Sequence, residues 1–224
     1  MSAQPTPNDD KRKRDEVKFW SKVAPEYDEW VSSAYLEQYS AFKAEMNGLV
    51  NEEDLVLDIA TGTGNIALHI APKVSAVVGI DISEEMISLA EAKLEASGLE
   101  NVTFLTEDAY KLPFADGTFD KVVCVNALQT MAEPQRAIDE AMRVLRVNGE
   151  FISVTYAFGD SGTIEVLKLS RWVVKYGMPK HWSNFKRKDL LDLFEGRGYR
   201  VVGTKRVWER PVVELIRVRK ELPD

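Results

Sequence analysis

From residue 54 onward, short β-patterned apolar runs alternate with helix-patterned segments. This rhythm constrains the fold more than any other feature of the chain. DLVLDI, AVVGID, NVTFLTED, FDKVVCVNAL and EFISVTY read as strands. Between them, NIALHIAPKV, SEEMISLAEAKLEASG and PQRAIDEAMRVLRVNG read as helices. The second opens at Ser83 and closes at Gly98; the third has Pro134 near its start and Gly149 just past its end. Strands linked through helices run parallel with both faces covered, and right-handed crossovers wind them into a three-layer sandwich. The last two runs, YRVVGTKRVW and PVVELIRVRK, are separated by a short turn. A parallel return needs a dozen or more residues, so these two pair antiparallel. The expected fold is α/β: a doubly wound, seven-stranded, mostly parallel sheet with helices on both faces and a C-terminal antiparallel hairpin.

The segment 17–47 reads as two aromatic-rich helices, interrupted early by Pro25. Ahead of it, the basic run Lys11 to Arg14 lies beside Asp9, Asp10, Asp15 and Glu16. That charge mixture predicts a flexible, solvated tail over 1–16. The rest, 17–224, reads as one domain: lid helices over 17–50, a ligand-binding core over 51–155, substrate-side helices over 156–198 and the hairpin over 199–219. A length of 224 residues suits one core of this size. The net charge of −7 disfavours nucleic acid as a partner. A single cysteine, Cys124, leaves no internal disulfide framework, and the expected home is cytoplasmic. No apolar run approaches the roughly 18–20 residues of a membrane span. Cys124 and His69 both read as core or structural residues.

The turn after the first strand, in LVLDIATGTGNIALHIAP, poses a chemical question. In such sheets a ligand sits beyond the C-terminal strand ends at the topological switch point. Gly62, Gly64 and Ala67 match the dinucleotide pattern G-x-G-x-x-A, with Asp81 about 20 residues on. That match makes an NAD(P)-dependent oxidoreductase one alternative. Asp58 argues against it, because a carboxylate beside a pyrophosphate is electrostatically unfavourable in a low-dielectric cleft. A nucleoside with an ammonium and a sulfonium but no phosphate removes the conflict. S-adenosyl-L-methionine has that chemistry.

Here the chain resembles the class I S-adenosylmethionine-dependent methyltransferases over about residues 50–155. VLDIATGTGN resembles the family's acid and Gly-rich loop, with Ala60 where the commonest pattern has glycine. VVGIDIS, LTEDAYKLPFADGTFD, FDKVVCVNALQTM and EAMRVLRVNGEFISV resemble the motifs that follow, in the same order. The resemblance implies that Asp58, Ala60, Thr61, Gly62, Thr63 and Gly64 form the cofactor loop. It implies that Asp81 and Ile82 hold the ribose, Met86 the adenine face, and Asp108 with Ala109 the adenine edge. Asn126 and Ala127 stand where the methionine moiety and the acceptor meet. Tyr27, in VAPEYDEW, resembles a segment that folds over the cofactor.

The sequence NALQ at 126–129 is not the Asn/Asp-Pro-Pro-aromatic motif of nucleobase and amide N-methyltransferases. Segments 17–45 and 156–188 instead contribute Trp20, Tyr27, Trp30, Tyr35, Tyr156, Phe158, Trp172, Tyr176, Trp182 and Phe185. Such a set suits a small apolar or aromatic acceptor methylated by in-line displacement. The nearest likeness is to quinone-ring C-methyltransferases and their small-molecule relatives. His181 and Tyr27 are the candidate catalytic residues, and no metal ligands are expected. The patterned helix containing Leu167, Leu169, Trp172, Val173, Val174 and Tyr176 offers a second alternative, a lipid methyltransferase touching an anionic membrane surface. Monomer and homodimer both remain open.

Overall fold

The computed structural model describes residues 7–162, 170–195, 197 and 199–221. Its sheet has the order β3-β2-β1-β4-β5-β7-β6. The strands are β1 Leu55–Ile59, β2 Ala76–Asp81, β3 Val102–Thr106, β4 Phe119–Val125, β5 Leu145–Tyr156, β6 Tyr199–Glu209 and β7 Val212–Lys220. β1 to β5 pair in parallel, whereas β7 pairs antiparallel with both β5 and β6. The expected seven-stranded, doubly wound sheet with a terminal antiparallel hairpin is what the chain forms. Its order reverses between β1 and β4, which opens the crevice of the switch point.

Alternating side chains divide the core between the two faces of the sheet. On β4, Val123 and Val125 join one cluster while Val122 and Cys124 join the other. The first face packs against α2 (Leu36–Met46), α3 (Ala67–Ile70) and α4 (Glu84–Ser97), with Phe42 and Met46 fully buried. The second packs against α5 (Pro134–Val144) and α7 (Arg187–Asp192) through Ile138, Ala141 and Leu190. Between these last two helices in chain order lies α6 (Ser170–Tyr176). Leu167 and Leu169, part of the patterned helix expected there, lie outside the described residues.

Ser83 caps α4 as expected: its Oγ accepts the Met86 N–H at 3.3 Å, and Gly98 closes the helix at φ +69°. The third helix, expected to reach Gly149, ends at Val144 because Leu145 pairs with Phe119 and draws the chain into the sheet. Gly149 has a different use there: a Cβ would lie 2.8 Å from the Asp120 carbonyl.

The largest departure from expectation is at the N-terminus. Residues 7–16, expected within a solvated tail, open a 28-residue helix, α1 (Pro7–Ala34). Pro25 lies inside this helix and does not end it. Arg12 is buried, while Lys11, Lys13 and Arg14 are exposed. The charge run is therefore one helical turn with a single member facing inward. His69 is structural as expected, its Nε2 lying 3.0 Å from the Lys43 carbonyl and 2.9 Å from Asn47 Oδ1.

Candidate active site

Two adjoining cavities open at the C-terminal ends of β1, β2 and β4. The larger, about 700 Å³ including its mouth, is a crevice bordered by Ala60, Gly62, Asp81, Ile82, Met86, Asp108, Ala109, Asn126, Ala127 and Tyr27. The sequence motifs therefore converge on one place. Asp58 and Thr61 border a side lobe of this region, together with Tyr27, Tyr39 and Ala60. Thr63 and Gly64 border neither cavity. Thr63 Oγ1 donates to Asp28 Oδ1 at 2.6 Å and accepts from Lys93 Nζ at 2.9 Å, tying the loop to α1 and α4. At Gly64, φ is +76° and a Cβ would lie 2.7 Å from the Phe104 ring, so both torsion and space exclude a side chain.

The loop is shaped around the two carboxylates. Thr61 Oγ1 donates to Asp58 Oδ2 at 2.7 Å. The Gly62 N–H donates to Asp81 Oδ2 and the Ser83 N–H to Asp81 Oδ1, both at 3.0 Å. Both acids are almost wholly buried. Burial pushes the Asp58 carboxyl up to about 7, with Asp81 adding repulsion against hydrogen bonds that pull it down. Burial likewise pushes Asp81 up to about 6. Ala60 and Asn126 flank the crevice with φ of +56° each, a conformation that costs a non-glycine residue about 1–2 kcal/mol. The departure from glycine at Ala60 is thus a held strain.

Of the crevice's fourth wall the sequence reading had Tyr27 and a lid helix from residue 17 and missed Arg12 and Glu16. Arg12, Glu16, Trp20 and Tyr27 form one stripe along α1 and line the cavity. Arg12 Nη1 donates to Glu16 Oε2 at 2.5 Å, Arg12 Nη2 pairs with Asp108, and the guanidinium lies 4.1 Å from the Tyr110 ring centroid. Burial pushes Glu16 up to about 7 despite Arg12. The spacing of four puts residues 12, 16 and 20 on one helical face, though nothing in the sequence says what that face meets.

The second cavity, about 430 Å³, shares Trp20, Tyr27, Asn126 and Thr130 with the crevice. Its remaining walls are Trp30, Tyr35, Gln129, Tyr156, Phe158, Trp172 and Trp182. Most of the aromatic residues singled out in the sequence meet here. Tyr176 instead packs on Trp172, with centroids 5.7 Å apart, and Phe185 packs against the core of the opposite face. His181 borders neither cavity; it lies in a separate groove with Lys11, Asp15, Glu133 and Lys180. Tyr27 stands at the junction, its hydroxyl 2.9 Å from that of Tyr39, and burial drives its ionisation well above the usual range. It is held there as a neutral hydroxyl in a hydrogen bond. Cys124 is buried, and burial pushes its thiol up.

Residues 56–149 match the family model described as a methyltransferase domain. This match and the fold together support a class I S-adenosylmethionine-dependent methyltransferase. Over 147 residues the chain is 35% identical to a demethylmenaquinone methyltransferase of Thermus thermophilus, covering 61% of its own length and 64% of that protein. Over 114 residues it is 39% identical to a phosphatidylethanolamine N-methyltransferase of Cereibacter sphaeroides, covering 50% of itself and 56% of the relative. The chain thus spans less than two thirds of these curated relatives. The crystal structure of the (4+2)-cyclase SpnF superposes with a TM-score of 0.77 at 18% identity, covering 99% of this chain and all of that one. This likeness concerns the fold alone, since one fold carries many reactions. The match to a methyltransferase domain speaks against the nicotinamide alternative. Among the described residues, no helix is long and apolar enough to cross a membrane.

Proposed function

We propose that the protein transfers a methyl group from S-adenosyl-L-methionine to a small aromatic or apolar acceptor held in the aromatic cavity. The observation that carries this reading is a pair of buried carboxylates, Asp81 on the crevice wall and Asp58 on its side lobe, next to an aromatic chamber. Two such acids suit a ligand bearing positive charge and vicinal hydroxyls, and disfavour a pyrophosphate.

In this reading Asp58 and the Ala60 backbone receive the amino-acid end. Asp81, each oxygen already oriented by a backbone N–H, accepts from the ribose hydroxyls. Ile82 and Met86 pack on the base, and Asp108 with Ala109 meets its edge. The bound co-substrate supplies an activated methyl on a positively charged sulfur. The protein's own contribution is alignment and exclusion of water, which can lower such a barrier by ~7–11 kcal/mol. Tyr27, Asn126 and Thr130 are common to both cavities and so stand at the boundary the methyl group crosses. The described walls of the chamber carry no carboxylate, imidazole or amine, so neither His181 nor another strong base is assigned.

Calorimetry with S-adenosylhomocysteine tests the crevice: the native protein binds it, and Asp81→Ala loses the binding. Binding of a nicotinamide dinucleotide in its place would refute the proposal. Incubation with a labelled methyl donor and a cell extract then captures the acceptor. The lipid alternative has its own support in Val174 and Met178, large apolar side chains that stand exposed on and just after α6. Label recovered in a phospholipid fraction would select it over a soluble acceptor.

A further inference from the structure

Three residues that line the aromatic chamber each carry a buried polar atom with no partner within the described protein: Gln129 Oε1, Tyr156 Oη and Trp172 Nε1. Their residues are 2%, 4% and 5% exposed. Buried polar groups are nearly always paired, so three unpaired ones around one cavity require a reason. The rest of the chamber lining is mostly aromatic and supplies none.

The Gln129 amide is held in one orientation. Its Nε2 donates to the Asn126 carbonyl at 3.1 Å and to Asn126 Oδ1 at 2.5 Å. A backbone carbonyl cannot donate, so nitrogen must occupy that side and Oε1 is left as the free end. These two bonds to Asn126 fix the amide before any ligand arrives.

Gln129 Oε1 can only accept and Trp172 Nε1 can only donate, whereas the Tyr156 hydroxyl can do either. An ammonium would satisfy the first and not the second; a carboxylate would do the reverse. Neither would find a counter-charge among the described chamber walls. A hydroxylated ring satisfies both and lies against the surrounding aromatic faces.

Resting on the reading of this chamber as the acceptor site, we propose that Gln129, Tyr156 and Trp172 are its specificity-determining residues. Gln129 Oε1 accepts a hydrogen bond from a ring hydroxyl of the acceptor. Trp172 Nε1 and Tyr156 Oη donate to a second ring oxygen. The chamber thereby selects arenes carrying two oxygen functions over hydrocarbon rings of the same shape.

The test compares 2,7-dihydroxynaphthalene with its near-isostere 2,7-dimethylnaphthalene, titrated calorimetrically into protein saturated with S-adenosylhomocysteine. The diol binds at least about tenfold more tightly, because the dimethyl compound leaves the buried polar atoms unpaired. Gln129→Met brings the ratio to within about twofold. Trp172→Phe and Tyr156→Phe, which keep the ring and remove one polar atom each, weaken the diol about fivefold and leave the dimethyl compound unchanged. These two conservative variants carry the test if Gln129→Met proves unstable. Equal binding of both compounds by the native protein overturns this inference while leaving the acceptor-site reading intact. Failure of both to bind a protein that still holds S-adenosylhomocysteine overturns the acceptor-site reading and this inference with it.

Discussion

Arg12 pairs with Asp108 across 96 residues of sequence, joining the second turn of α1 to the loop after β3 at the rim of the donor crevice. The same guanidinium reaches Glu16 and lies over Tyr110, so one side chain ties together three groups that border the cavity. A crevice built from the β-strand ends alone would be open on this side.

Replacing Arg12 with methionine should therefore cost more than a surface substitution. Its two carboxylate partners are only 14% and 19% exposed and would lose their buried partner. The expected loss is about 2 kcal/mol, below the 3–5 kcal/mol of a fully buried pair. Urea unfolding of Arg12→Met measures it, and a change under 0.5 kcal/mol, the range of ordinary surface substitutions, would make the contact incidental.

The raised carboxyls fix the sign of a pH effect. In the folded, ligand-free protein Asp58 and Glu16 ionise near pH 7 and Asp81 near pH 6. The unfolded chain ionises them near pH 4. Between those values the folded state holds more protons, so stability falls as pH rises from about 4 to about 7. The ligand-free melting temperature should decline over that window, and Asp58→Asn should flatten the decline. Affinity for S-adenosylmethionine should rise over the same window, because an ammonium favours the ionised Asp58. A melting temperature that climbs from pH 5 to pH 7 would contradict the assignment.

Gly79 on β2 carries no unusual torsion, yet a Cβ there would lie 2.6 Å from the Phe104 ring and 2.9 Å from Thr61 Oγ1. Phe104 is packed in the core and Thr61 holds Asp58. Gly79→Ala should cost about 1–3 kcal/mol by overpacking. It should also weaken S-adenosylhomocysteine binding, by displacing Thr61 from Asp58. Calorimetry and thermal unfolding of one preparation report both effects, and unchanged affinity would show that Thr61 does not order the loop.

Ala60→Gly should behave oppositely. The native φ of +56° burdens alanine and not glycine, while glycine raises the entropy of the unfolded chain. The balance predicts a gain of up to about 1 kcal/mol, read from chemical denaturation. A clear loss of stability would mean that the Ala60 methyl contributes packing exceeding its strain.

The architecture was legible because it rests on local patterns. Strand–helix alternation, the Ser83 cap and the short link between the last two strands each dictate a connection, and the sheet follows. The Gly-rich loop was legible for a related reason: Asp58, Gly62, Gly64 and Asp81 are spaced by one βαβ unit, so their meeting is a consequence of the fold. The aromatic segments at both ends of the chain announced an apolar cavity without showing how they would meet. The Arg12 contact was hidden because a run of four basic residues carries no mark of which one turns inward. Even the helical stripe through residues 12, 16 and 20 becomes informative only once a cavity lies opposite it.

By itself, then, the sequence determined the alternation and direction of the strands, the switch-point crevice and the acidic character of its loop, since all of these follow from spacing along the chain. Tertiary structure alone decided that residues 7–16 extend α1 and turn Arg12 into the crevice, that His181 is left outside it, and that Gln129, Tyr156 and Trp172 converge on one chamber. Those outcomes depend on distances between segments far apart in sequence. Such distances are set by how whole elements pack, which no local pattern encodes.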